Sequence, residues 1–349
     1  MKEISFRESL ELTNSIYIDV RSPAEFETDH VSGSLNIPLF DNNERKEIGT
    51  IYRMAGRNDA VVRGTEIVGE KLKGIMHSIL EHKDKNLLVM CARGGMRSGS
   101  LVSLLDSLGL PVYQIKEGYK GYRRFVIDSL ESLKLEAPLF VLQGLTGSGK
   151  TEIIRQTRYA IDLEDMAGHR SSVFGGIDNI RRTQKRFESL LLDRIRVLER
   201  APYILIEGES RKIGNLHIPD PLYEFMKRSP VMYLDTPIER RVEIIYEEYH
   251  DYCDDTNIPV IVKSLGAKLG KKNTDDLISL YTQGKIKEFI RLMLDKYYDP
   301  LYQYSLDKKN YFAVIPNNNA GKAAAEVERR IKEYKEKNSN LIDNKHARL

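Results

Sequence analysis

The stretch that most restricts what this chain can become is residues 139–154. Leu139-Phe140-Val141-Leu142-Gln143 is an apolar run with the length of a buried strand. Gly144-Leu145-Thr146-Gly147-Ser148-Gly149-Lys150-Thr151 follows at once and satisfies G-x-x-x-x-G-K-[ST] without a mismatch. Glu152-Ile153-Ile154 then opens a helical pattern. Strand, glycine-rich loop and helix in that order make a phosphate cradle. Gly144, Gly147, Ser148 and Gly149 turn backbone N–H groups onto the phosphates, Lys150 reaches their outer oxygens, and Thr151 offers its hydroxyl to Mg²⁺. The cradle predicts a parallel α/β sheet and a polyphosphate ligand without specifying ATP.

A second loop of the same kind lies upstream. Leu87-Leu88-Val89-Met90 reads as a buried strand and ends on Cys91, one of two cysteines in 349 residues. Ala92-Arg93-Gly94-Gly95-Met96-Arg97-Ser98 follows, then helical spacing at Leu101, Leu104, Leu105 and Leu108. Loop N–H groups, a helix start and the charges of Arg93 and Arg97 all favour an anion at this point. They equally favour thiolate at Cys91, which makes it a nucleophile. A structural cysteine would not need two glycines and two arginines behind it.

Around these loops the chain divides. A length of 349 residues calls for two domains. The break is placed near 133, where a helix from Tyr119 ends and Pro138 disfavours helix before it. Residues 1–133 alternate short strands (Ile16–Val20, another to which His30–Pro38 leads, Leu87–Met90, Pro111–Ile115) with helices, among them one over 65–82. Ser22 is the expected N-cap of a helix with Pro23 at its first position. Residues 134–349 hold the phosphate loop, further strands at Tyr203–Ile206 and Val231–Leu234, a mostly helical part from 242 to 330 and a mobile tail after about 337. Leu163-Glu164 is read as the end of a strand. The expected fold class is therefore α/β in both halves, each a parallel sheet with flanking helices.

Other candidates cluster in the second half. Glu207 and Glu209, at the end of a core strand, suit an indirect hold on Mg²⁺. His169 and Arg170 lie in a polar, glycine-bearing loop. Arg181, Arg182, Lys185 and Arg186 would form a basic face on a helix, and Lys263, Lys268, Lys271 and Lys272 a second one, as a nucleic-acid backbone requires. Arg211 follows the Glu207 strand, and Arg240 and Arg241 follow the next. The tyrosines at 297–304 are assigned to packing, and Cys253 to structure.

Composition excludes several classes. Two cysteines cannot make a disulfide framework, and a free Cys91 suits a reducing cytoplasm. MKEISFRESLELTNS lacks a leader's apolar core, and no run approaches about 18 apolar residues, so neither secretion nor a membrane span is expected. A net charge of +3 alone decides nothing about nucleic acid.

IDVRSPAEFETDHVSGSLNIPL, CARGGMRS and the closing EGY resemble a rhodanese domain, a family that passes sulfur or selenium through a covalent cysteine. One departure is that five residues separate Cys91 from Arg97 where sulfurtransferases often have four. The wider loop resembles rhodanese-fold phosphatases and suits a larger group than one sulfur. With GLTGSGKT, the downstream HRSS and ExESR, the whole resembles the tRNA 2-selenouridine synthases. Two positions depart from that family, Ala92 where an aromatic is common and Gly208 where an acid is common. The resemblance implies that 2-thiouridine at the tRNA wobble position is geranylated by geranyl diphosphate. Selenium from selenophosphate then replaces the geranylthio group through an S-selanyl form of Cys91, with Arg93 and Arg97 holding the phosphate end. No tightly bound cofactor is implied, Mg²⁺ is admitted through Thr151 without a dedicated site, and a monomer is favoured. Two other readings stay open on the residues alone. One is a cysteine phosphatase fused to a kinase-like domain; the other is a nucleotide-binding regulator with an inert rhodanese unit.

Overall fold

The computed structural model describes residues 2–168, 182–249, 258–306 and 310–346. The chain forms two compact units. One is Met1–Leu133 together with Arg182–Asp193; the other is Lys134–Arg181 together with Arg194–Leu349. The domain break near 133 thus coincides with a boundary. The expected second domain over 134–349, however, gives up twelve residues to the first unit, for an electrostatic reason given below.

The first unit runs β1 (Lys2–Ile4), α1 (Phe6–Ser9), β2 (Ser15–Asp19), α2 (Pro23–Thr28), β3 (Leu35–Asn36), α3 (Asn42–Met54), α4 (Arg57–Leu80), β4 (Asn86–Met90), α5 (Met96–Ser107), β5 (Val112–Ile115) and α6 (Gly118–Glu131). Its five strands are all parallel, in the order β1-β5-β4-β2-β3. The central strand is β4, and Leu87, Leu88, Val89 and Met90 are completely buried. That is why its sequence is a continuous apolar run rather than an alternating one. Ile18, Val20, Val102 and Leu105 pack with Leu87 and Val89 in one core. Pro23 does begin α2, where the Glu25 carboxylate accepts the Ser22 backbone N–H at 3.2 Å.

The second unit runs β6 (Leu139–Gln143), α7 (Lys150–Gln156), β7 (Ala160–Ile161), α8 (Leu163–Ala167) and α9 (Gln184–Val197), which starts in the first unit. It continues with β8 (Ile204–Glu207), β9 (Lys212–Ile213), β10 (Leu216–His217), α10 (Asp220–Arg228), β11 (Val231–Asp235) and α11 (Ile238–Tyr249). After α12 (Ile258–Ser264), α13 (Gly266–Leu269), α14 (Lys271–Thr282) and α15 (Ile286–Met293), a π-helical turn at Leu294–Tyr298 leads to α16 (Asp299–Leu306), β12 (Tyr311–Pro316) and α17 (Ala320–His346). The sheet order is β12-β11-β6-β8-β7, again all parallel. The strand β6 sits in the middle and carries the phosphate loop at its C-terminal end, with β8 and β11 on either side.

One expectation is corrected here. Leu163 and Glu164 do not end a strand: the strand stops at Ile161, and the Asp162 side chain accepts the Asp165 N–H at 2.8 Å to cap α8. The helix α17 continues past residue 337 to His346. Arg–Glu pairs three and four residues apart, such as Arg330–Glu326 at 2.8 Å, support that helix further up.

Candidate active site

Cys91 lies where β4 ends, and its side chain is almost fully buried. Parallel sheets present their ligands at the carboxyl ends of strands, and this is such an end. The loop from Ala92 to Gly95 curls back over it. Sγ accepts the Gly95 N–H at 3.3 Å and the Ser98 hydroxyl at 3.2 Å. Burial pushes the thiol up, but the hydrogen bonds from Ser98 and from the Arg93 backbone, with the charge of Arg97, outweigh it. The net effect is a thiol pKa below the ordinary value, which is what a nucleophile near neutral pH requires.

The closing Glu117-Gly118-Tyr119 explains itself at this loop. Gly118 has φ +54°, and a Cβ there would stand 2.0 Å from the Cys91 carbonyl oxygen. Only glycine lets α6 start so close to the nucleophile. In return the Tyr119 N–H donates to that carbonyl at 2.8 Å, and the Lys120 N–H to that of Ala92 at 3.1 Å.

The two loop arginines differ. Arg93 is exposed. Arg97 is mostly buried, and its guanidinium is held by the Glu25 carboxylate of α2 at 2.9 Å. The expectation that Arg97 simply faces an incoming anion is therefore amended: an anion has to exchange with Glu25 for it. Sequence spacing gave no sign of Glu25, which lies 72 residues away.

Behind the loop is a buried charge cluster that sequence reading also missed. Asp19 and Arg21 form a fully buried pair at 2.6 Å, and the Arg21 guanidinium stacks on the Tyr119 ring at 3.8 Å. Asp29, wholly buried, accepts the Tyr119 hydroxyl at 3.1 Å and the Ser189 hydroxyl at 3.0 Å. Arg123 reaches Asp29 at 3.5 Å, Arg186 reaches it at 3.9 Å, and Arg123 also pairs with Glu188. A buried carboxylate demands such partners. That demand is why Arg182–Asp193 belongs to the first unit. The Thr183 hydroxyl and Arg186 add bonds to the carbonyls of Thr28 (2.6 Å) and His30 (2.8 Å). Of the expected basic face, Arg186 is thus spent on structure, Lys185 is exposed, Arg182 is half-buried, and Arg181 lies outside the described residues.

In the second unit the phosphate loop has its expected frame. Gly147 and Gly149 take φ of +72° and +81°. Lys150 Nζ donates to the Gly144 carbonyl at 3.1 Å, and Thr151 Oγ1 to Glu164 at 3.3 Å. A Cβ on Gly144 would meet Ser148 Oγ at 2.6 Å. The loop is braced from outside itself: Thr236 Oγ1 and Asn317 Nδ2 each donate to the Ser148 carbonyl at 2.8 Å. Arg241, which follows β11 as the sequence places it, is buried. It donates to the Thr146 carbonyl at 2.9 Å and is bound through two contacts to Asp299.

Glu207 ends β8 beside β6, its side chain fully buried. Burial first, then the nearby charges of Glu164, Asp162 and Glu209, push its carboxyl well above the ordinary value, with Lys150 opposing. One oxygen accepts the Glu164 N–H at 3.3 Å, and the other has no hydrogen-bond partner. Thr151, Glu164 and Glu207 are oxygen donors of the type a hard cation takes. Among the described residues no group of three or more His, Cys, Asp or Glu could hold a metal by itself. A Cβ at Gly208 would stand 2.5 Å from the Gln143 side chain, which would have to move to admit it.

The remaining candidates are scattered. Arg211 is exposed and paired with Asp220. Lys263, Lys268, Lys271 and Lys272 are all exposed in the helical part. Tyr298 is buried, as packing requires, whereas Tyr302 is 40% exposed. His169, Arg170 and Cys253 lie outside the described residues. No described helix is long and apolar enough to cross a membrane.

With both sites built, comparison with known proteins adds the following. Residues 5–124 match the family model of the rhodanese-like domain, and residues 137–275 match that of the tRNA 2-selenouridine synthase AAA domain. A tRNA 2-selenouridine synthase of Shewanella woodyi is 33% identical over 84% of this chain and 88% of its own. That of Shewanella frigidimarina is 31% identical over 85% and 90%, and that of Hydrogenovibrio crunogenus 32% over 86% and 92%.

Proposed function

The chain belongs to the tRNA 2-selenouridine synthase family, and on that premise we propose that it converts 2-thiouridine at the tRNA wobble position to 2-selenouridine in two steps. In the first, the thio sulfur attacks C1 of geranyl diphosphate, the C–O bond breaks and diphosphate departs. In the second, the Cys91 thiolate attacks the selenium of selenophosphate, the Se–P bond breaks and its electron pair leaves with phosphorus as phosphite. The resulting S-selanyl anion attacks C2, geranylthiolate leaves, and an external thiol reduces the S–Se bond, freeing 2-selenouridine and the Cys91 thiol. Alkylation comes first because a thiocarbonyl sulfur leaves poorly and a thioether sulfur leaves well.

One observation carries the reading: a single chain holds an activated, anion-cradled thiol and a phosphate loop. The thiol at Cys91 is buried, with Gly95 and Ser98 donating to its sulfur. This is the setting a selenium carrier needs. In the phosphate loop, Gly144 to Thr151 would wrap the diphosphate, and Lys150 would leave the Gly144 carbonyl to stabilise the departing charge. Thr151, with Glu164 and Glu207 behind it, would hold Mg²⁺, which offsets diphosphate charge. The exposed lysines at 263–272, with Lys185, would take tRNA phosphates, so tRNA affinity falls steeply with salt. The reaction would take place in the cytoplasm, where Cys91 stays reduced.

The test is mass spectrometry of wobble nucleosides. Protein, 2-thiouridine tRNA, geranyl diphosphate and selenophosphate are incubated together, with Cys91→Ala and Lys150→Ala alongside. Wild type should give 2-selenouridine, Cys91→Ala should stop at the geranylthio nucleoside, and Lys150→Ala should lose geranylation. Selenouridine from Cys91→Ala, or unimpaired geranylation by Lys150→Ala, would refute the corresponding role.

A further inference from the structure

Gln114 belongs to β5 and not to the Cys91 loop, yet it is buried and reaches into that loop. Its Nε2 stands 2.7 Å from the Gly94 carbonyl oxygen, 3.0 Å from Ser98 Oγ and 3.4 Å from the Gly95 carbonyl oxygen. Two carbonyl oxygens around that atom fix the amide orientation, because the reversed amide would set its own oxygen against both. Gln114 is therefore a donor to this loop. Its two N–H groups go to the Gly94 carbonyl and to Ser98 Oγ.

This has a consequence one bond further on. A hydroxyl that accepts from Gln114 must send its single proton elsewhere. Ser98 Oγ has two acceptors in reach, Cys91 Sγ and the Gly95 carbonyl oxygen, both at 3.2 Å. Once the sulfur is anionic, the charge-assisted bond to Sγ prevails. We propose that Gln114 is a positioning residue for Cys91: by donating to Ser98 it makes that hydroxyl a one-way donor to the sulfur, and by pinning the Gly94 carbonyl it holds the loop that carries the Gly95 N–H. The charge that acts on the thiol is that of Arg97 on α5, which is itself paired with Glu25 on α2. The Gln114–Ser98 chain is separate from that pair and adds a neutral, oriented dipole.

The inference rests on Cys91 being the reacting group of the proposed reaction, but its test reads the thiol directly and needs neither tRNA nor selenium. The full-length protein is alkylated with iodoacetamide across a pH range, and the Cys91 peptide is followed by mass spectrometry. Gln114→Met keeps the length of the side chain and removes both donors. Losing one net hydrogen bond of ordinary strength lowers the thiolate fraction at pH 7 about fivefold. Gln114→Met should thus slow alkylation about fivefold at pH 7, move its midpoint to higher pH and leave the plateau at high pH intact. A mere packing defect would alter the plateau and not the midpoint. Ser98→Ala should reproduce the midpoint shift, and adding Gln114→Met to it should give little further change, since the relay is already cut. An unmoved midpoint in Gln114→Met, or an undiminished second shift in the Ser98→Ala background, overturns the proposal. If Gln114→Met fails to fold, Gln114→Glu retains the shape and loses the amide donors. Its midpoint must then rise, and a midpoint equal to wild type overturns the proposal as well.

Discussion

Gly118 and Gly33 make a controlled pair for weighing steric closeness against backbone conformation. Both belong to the first unit and both have positive φ, +54° and +75°. A Cβ on Gly33 would meet nothing within 4 Å. Gly33→Ala should therefore cost only the left-handed backbone term, about 1 kcal/mol. A Cβ on Gly118 would stand 2.0 Å from the Cys91 carbonyl oxygen and 2.6 Å from the Gly94 nitrogen. Both are backbone atoms and cannot swing aside, so the loop or the start of α6 must move by more than 1 Å to restore an ordinary contact near 3.4 Å. Overpacking of that kind adds about 1–3 kcal/mol, which brings Gly118→Ala to about 3 kcal/mol. The 2.8 Å bond from the Tyr119 N–H to the Cys91 carbonyl should also be stretched. Strand β4, whose Leu87, Leu88, Val89 and Met90 are completely buried, supplies the assay. Brief hydrogen–deuterium exchange along a urea gradient, read on the peptide covering β4, reports the opening of this unit. With a urea slope of about 2 kcal/mol per M, the midpoint of Gly118→Ala should fall about 1 M below that of Gly33→Ala. Equal midpoints would refute the steric argument and leave backbone strain as the whole cost.

Two further outcomes concern the second unit. The Glu207 carboxyl is raised above its ordinary 4.5 in the fold, so the folded state binds the extra proton and stability falls as pH rises through the interval above 4.5. Glu207→Gln should flatten that slope and raise the melting temperature by a few degrees at pH 8, whereas a steeper loss at high pH would contradict the sign. Arg241→Met should cost about 2 kcal/mol, less than a fully buried pair because Asp299 keeps 24% exposure. It should also weaken diphosphate binding measured by calorimetry, although Arg241 touches only the back of the loop. Unchanged diphosphate affinity would show that the Thr146 carbonyl needs no brace.

What could be read from sequence were the parts whose chemistry is local. Strand β4, the phosphate loop and the Cys91 loop each combine an apolar run with glycines a few residues away, and the chain has little freedom to do otherwise with them. Ser22-Pro23 likewise announces the start of α2. The partners that tune these loops come from elsewhere in the chain: Glu25 to Arg97, Gln114 to Ser98, Asn317 to Ser148. A buried polar atom leaves no periodicity, and its partner is fixed only when the sheets have formed. Leu163-Glu164 was misread because an apolar residue after Ile161 prolongs a strand pattern, while the Asp162 cap that ends it weighs little in a hydrophobicity count. Arg181, Arg182, Lys185 and Arg186 read in sequence as a basic face of a helix. The spacing of their arginines does suit a helix, but it carries no trace of Asp29, more than 150 residues upstream.

That excursion of twelve residues changes what can be done with the protein. A chain cut after Leu133 would carry Asp29 with Ser189 and Arg186 removed, a wholly buried carboxylate stripped of two of its partners. The polypeptide passes between units at three points, 133/134, 181/182 and 193/194, rather than at one. A single cleavage or gene fission therefore cannot yield two self-sufficient pieces. Recombination that swaps one half for a foreign homologue would split a matched set of charges, so the two halves are expected to be inherited together. The same threading sets a design rule: a portable unit from this chain has to carry residues 182–193 along with 1–133.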